Sequence, residues 1–214
     1  MSVSGFRIFG IFNSLNKGGG EHIIIWFRHL PQISMDLSEW TPFIQNDWHR
    51  KHYMKFVYVL QIIIFLIPYY FGASFTHINI FYLIIIGIFV FIVHEFLHII
   101  VINKKGDISL TCSGIFFWLN TNAILSKTRF WIFMSLPIIV LSVVPAIVSL
   151  YVSGNIKSIL LFVCWINTII SASDIYNSLL IAIKPKNSIF CRGYYKVEDN
   201  KKGYLKNIST KGIR

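Results

Sequence analysis

The chain has 214 residues, 55% of them apolar, and a net charge of +11 from 20 Lys and Arg against 9 Asp and Glu. With a mean hydropathy of +0.61, that balance excludes an ordinary soluble domain and indicates an integral membrane protein. The positive charge then reads as a topology marker, and no nucleic-acid partner is expected.

Residues 1–20 have neither a lysine-rich start followed by an apolar core nor a small-residue cleavage site, so they do not read as a signal peptide, and the mature chain is expected to begin at Met1. Residues 1–54 mix Gly18-Gly19-Gly20, the run Ile23-Ile24-Ile25-Trp26-Phe27, Pro31 and Pro42 without a sustained helical period. Trp26, Trp40 and Trp48 among charges suit a membrane surface, which makes this a cytoplasmic or interfacial segment.

Four stretches beyond it reach the ~20 apolar residues that span a hydrocarbon core: 56–75, 80–102, 130–152 and 158–183. The fold expected is an all-α membrane protein with about four transmembrane helices, its core running over residues 55–184. A basic tail, 185–214, follows and either lies on anionic lipid headgroups or is solvated. Lys and Arg gather before the first span, between the second and third at Lys104, Lys105, Lys127 and Arg129, and in the tail, whereas the other two connections hold Lys157 alone. The positive-inside rule then gives a multi-pass protein of the cell membrane with both termini cytoplasmic. Its three cysteines, Cys112, Cys164 and Cys191, form no CxxC pair and suggest neither a disulfide framework nor a thiolate zinc site.

Near the end of the second span stands His94-Glu95-Phe96-Leu97-His98. Residues four apart share a helix face, so His94 and His98 can offer two imidazoles to one Zn²⁺ while Glu95 reaches a water on the metal. After that span, residues 106–128 turn polar and β-favouring: Ile108, Leu110 and Cys112 alternate with Ser109 and Thr111 before Gly114, which predicts a short β-hairpin. An exposed strand edge there would hold an extended peptide, although an ordinary loop fits as well. Pro137 and Pro145 are expected to bend the third span.

Seven of the nine acids fall outside the predicted spans; the remaining two are Glu95 and Asp174. A carboxylate in hydrocarbon is costly unless paired, protonated or metal-bound. In the topology above the second and fourth spans run in the same direction, and counting 1.5 Å per residue from their inner ends brings Asp174 within about one or two turns of the histidines. Asp174 is therefore the expected third metal ligand. Asn167, Ser171 and Asn177 recur on its face at helical spacing and would orient ligands, bind substrate backbone, or bond to neighbouring helices.

Two His and one carboxylate leave a fourth zinc position open, which fits a hydrolytic centre with Glu95 as general base for peptide cleavage in a membrane protein or peptide substrate. The alternative is a divalent-cation transporter or other metal-binding membrane protein, in which Glu95 would be dispensable or would bind metal itself. An inert scaffold that keeps the motif is a third class.

Over residues 81–195 the chain resembles a family of bacterial membrane proteins described as zincin peptidases. The resemblance rests on His94-Glu95-Phe96-Leu97-His98, on Ser126-Lys127-Thr128-Arg129-Phe130 leading to Ser135-Leu136-Pro137, and on Ser171-Ala172-Ser173-Asp174-Ile175 with Pro185 beyond. More widely it is similar to site-two-protease-like intramembrane metalloproteases, which take a third ligand from an Asp on a later helix. That implies the ligand role for Asp174, although Ile175 and Tyr176 stand where the better-known group has Pro and Gly.

Overall fold

The computed structural model describes residues 38–70, 78–102, 108, 121 and 123–198 in full, and the backbone alone at 24–27, 109–113 and 116–120. The expectations on residues 1–20, on Lys104 and Lys105, and on the tail lysines Lys201, Lys202, Lys206 and Lys211 lie outside the described residues. The described chain is mostly helical.

Helix α1, Asp47–Tyr70, starts earlier than hydropathy suggests. Asn46 caps it, its Oδ1 accepting from His49 N at 3.0 Å, and Asp47 sits in the first turn, where a negative charge opposes the positive end of the helix dipole. The span expected at 56–75 lies within this helix as far as Tyr70, its last residues falling outside the described ones, and residues 47–54, which show no sustained helical period in the sequence, are helical as well. Helix α2, Ile80–Ile102, matches its predicted bounds; Asn79 Oδ1 accepts from Phe81 N at 2.9 Å. Its buried residues, Leu83, Val90, His94, His98 and Ile102, fall at spacings of seven and four and form one inward stripe.

Helix α3, Lys127–Ile138, begins at the Ser126 cap and runs through a π-helical stretch, Ile139–Val143, into α4, Val144–Ser149. Lys127 Nζ donates to Ala182 O at 2.9 Å and to Lys184 O, tying the start of α3 to the end of the last helix. The fourth predicted span is broken in two. Helices α5, Gly154–Ile170, and α6, Ala172–Ala182, meet at Ser171 with a bend of 62°. Neither Pro nor Gly stands there; the small trio Ser171-Ala172-Ser173 lets the chain turn, and fully buried Ala172 packs against Val57 and Ile64 of α1. Among the described residues three helices, α1, α2 and the continuous run Lys127–Ser149, are long and apolar enough to cross a membrane, or four if the bent pair counts as one span.

The chain is not all-helical. Strands β1 (Ile24–Phe27), β3 (Ile108–Ser113) and β4 (Phe116–Thr121) form one sheet in the order β1-β3-β4, in which β3 and β4 are the expected antiparallel hairpin and β1 joins β3 in parallel. A second, antiparallel sheet, in the order β2-β7-β6-β5, joins β2 (Thr41–Pro42), β5 (Leu125–Ser126), β6 (Ser188–Cys191) and β7 (Tyr194–Val197). Residues 188–197 of the expected basic tail are thus a hairpin. Phe190 of β6, Phe43 and Ile181 of α6 make a core that seats this sheet against the helix ends. Along the helices, α1 and α2 turn large residues outward, among them Ile62, Phe65, Ile84, Ile88 and Phe89, each more than half exposed.

Candidate metal centre

The bend at Ser171 carries Asp174, in the first turn of α6, to the inward stripe of α2. Asp174 Oδ2 lies 3.1 Å from His94 Nε2 and 3.4 Å from His98 Nε2, and the two Nε2 atoms are 3.2 Å apart. His94, His98 and Asp174 are only 2%, 4% and 7% exposed. Zinc–ligand bonds of about 2.0–2.1 Å imply an edge of roughly 3.3 Å in a tetrahedral site, so the three separations fit one ion. Asp174 Oδ2 is buried and, with both facing Nε2 atoms unprotonated, accepts no hydrogen bond, an arrangement that a cation resolves. These residues form a possible metal site.

The outer bonds set the tautomers. His98 Nδ1 is 2.7 Å from Phe133 O, a carbonyl that only accepts, so Nδ1 carries the hydrogen and the Nε2 lone pair faces Asp174. On the other ring, His94 Nδ1 is 3.0 Å from Asn167 Oδ1. The Asn167 amide orientation is fixed by its Nδ2, which donates to Pro137 O at 3.1 Å and to Ser142 Oγ at 2.8 Å. Its Oδ1 therefore accepts, His94 Nδ1 donates, and the second Nε2 is also free for a metal. Thr168 Oγ1, which donates to Cys164 O at 2.6 Å, lies 2.9 Å from Ser142 Oγ and backs up this network by accepting from it.

One proline serves both rings. In an α-helix Phe133 O would accept from the N–H of residue 137, but Pro137 has none, so that carbonyl is left for His98. Just ahead of the π-helical stretch, the carbonyl of Pro137 itself accepts from Asn167. Pro137→Ala should accordingly weaken zinc binding by about 10- to 100-fold, because the new N–H competes for Phe133 O, while the helix itself loses an unfavourable residue and the fold holds. A zinc titration against a chromophoric chelator, run beside thermal unfolding, checks this. Unchanged affinity would show that His98 keeps its partner regardless.

Of the other residues singled out from sequence, Ser171 is fully buried with Oγ 3.5 Å from His94 Nδ1, and Asn167 is fully buried against the same ring. Asn177 is turned away: its Oδ1 accepts from Tyr53 OH at 3.1 Å. Glu95 follows His94 on α2, is half-buried, and is close enough to interact electrostatically with His94, His98 and Asp174. The roles of Phe133, Ser142 and Thr168 are not readable from motif spacing; the one available signal is Pro137 four residues after Phe133.

Residues 87–189, just under half of the chain, match the model of a family described as "Putative zincin peptidase". The match covers both histidines, Glu95 and Asp174. No curated protein and no solved structure matches the chain.

Proposed function

We propose that this chain is a zinc-dependent endopeptidase of the cell membrane that cuts membrane proteins or membrane-adjacent peptides. The observation that carries the reading is the trio of Nε2, Nε2 and Oδ2 atoms at mutual distances of 3.1–3.4 Å with its orphaned carboxylate oxygen, beside Glu95. The family match supports zinc and peptide hydrolysis. The outward apolar faces of α1 and α2 support a bilayer, since water would leave so large a patch uncovered. Arg50, Lys51 and Lys55 open α1, Lys127 and Arg129 open α3, and Lys184, Lys186, Arg192 and Lys196 surround the β5–β7 sheet at the same end, whereas Lys157 opens α5 at the other. That asymmetry supports a cytoplasmic sheet end, with both termini there and anionic headgroups within its reach.

His94, His98 and Asp174 would hold the ion. Zinc supplies Lewis acidity, which polarises a peptide carbonyl and acidifies water. Glu95 takes the proton from the attacking water on its carboxylate and returns it to the leaving amine, so one residue serves as base and then acid. The hydrogen bonds from Nδ1 of both histidines hold the rings in place through the reaction. Burial of the cluster keeps bulk water from competing, and hydrolysis requires a polar path that brings single waters to it.

Protein purified in detergent and reconstituted in liposomes should carry close to one zinc and cleave a quenched-fluorescence transmembrane peptide. Chelation should abolish cleavage and zinc should restore it. Zinc at 100 times its Kd should also stabilise the fold by about 2.7 kcal/mol. Hydrolysis that survives complete zinc removal would overturn the reading.

A further inference from the structure

A cavity of about 600 Å³ opens where the second sheet meets the starts of α1 and α3 and the middle of α6. Its size is that of an ordinary ligand pocket. Phe133 alone stands between it and His98: Phe133 lines the cavity, its carbonyl holds His98, and its ring lies tilted with its centroid 4.5 Å from that of the His98 ring. Phe130, Phe133, Met134 and Phe190 make an apolar wall. Among the described residues no Asp or Glu lines the cavity, and two arginines do, Arg50 and Arg192.

The two arginines differ. Arg50 is held by Asp47 at 2.6 Å and is half-exposed. Arg192 is in no ion pair among the described residues and is partly buried. It also occupies a costly place in the backbone. Arg192, at φ 48°, and Gly193, at φ 78°, form the two-residue turn between β6 and β7, where left-handed conformations favour Asn or Gly. An arginine there gives up turn stability, and it is at this costly position that Arg192 lines the cavity.

We propose that this cavity is the substrate-selecting subsite, taking a large apolar side chain of the peptide while Arg192 pairs with a carboxylate next to that side chain. The inference rests on the peptidase reading above for the identity of the occupant as a peptide. The aromatic wall supplies the apolar half of the recognition. A partly desolvated arginine with no ion-pair partner among the described residues supplies the other half, and it prefers a carboxylate over an amide because a fork of N–H donors meets both oxygens.

The test uses full-length, zinc-loaded protein and two synthetic fluorescein-labelled peptides that differ only in a central Glu-Phe or Gln-Phe pair. Wild type should bind the Glu-Phe peptide about tenfold more tightly, and a Phe→Ala peptide should lose most of its binding. Arg192→Asn, which suits the left-handed turn, should melt no lower than wild type yet bind both peptides alike. A preference retained in Arg192→Asn, or no preference in wild type, overturns the subsite. Binding and cleavage are read separately. Peptides bound with an Arg192-dependent preference but never cut would uphold the pocket and defeat the peptidase reading, and peptides cut without any Arg192 dependence would do the reverse.

Discussion

Asp174→Ala protein is expected to purify without zinc. Two imidazoles from one helix would remain, and a mononuclear zinc site held by His94 and His98 alone loses the anionic ligand that balances the ion's charge in a nearly dry cluster. If the ligands of a zinc site share roughly 10–16 kcal/mol, one of them is worth about 3 kcal/mol, or two orders of magnitude in affinity. The control is Asn177→Ala, one helical turn along α6, which should keep its zinc because its side chain faces Tyr53. Metal analysis of the two variants beside wild type decides the matter. Stoichiometric zinc in Asp174→Ala would remove Asp174 from the ligand set and with it the significance of the bend at Ser171.

That bend marks where reading the sequence stops short. His94 and His98 are legible because a four-residue spacing on a helix fixes a shared face before any tertiary contact is known. Asp174 is legible for an energetic reason, since an acid in an apolar stretch requires a partner. The turn that brings them together is not, because Ser171-Ala172-Ser173 carries no Pro or Gly and 158–183 is apolar enough to pass for one straight helix. The expected stripe of Asn167, Ser171, Asp174 and Asn177 is consequently split: the first three converge on His94, and Asn177 goes to Tyr53.

The second sheet is hidden for another reason. Its edge strands β2 and β5 are two residues long, too short for any periodicity to register. Strands β6 and β7, four residues each, show no apolar–polar alternation, and the lysines around them read as a basic tail. The start of α1 is missed similarly, since apolar counting begins at Phe56 whereas the helix is started by a polar cap at Asn46. As for Pro137, its sequence position suggests a kink; that its missing N–H frees Phe133 O is visible only once His98 is seen to use it.

Glu95→Gln should leave zinc bound and lower hydrolysis by about 10²- to 10⁴-fold. The amide has the size of the carboxylate, so the packing on α2 is kept, and all three zinc-facing atoms come from other residues. What is lost is the capacity to take a proton from water and pass it to the leaving amine. The effect should fall on kcat, because the proton moves only in the chemical step, and peptide affinity should stay near the wild-type value. This outcome separates hydrolysis from metal transport. A transport site would either lose metal with Glu95, if the carboxylate binds the ion, or work normally without it; only a general base leaves full zinc with no cleavage. Equal cleavage by Glu95→Gln and wild type, with zinc unchanged in both, would deny Glu95 the proton-transfer role and require another base to be found near His94 and His98.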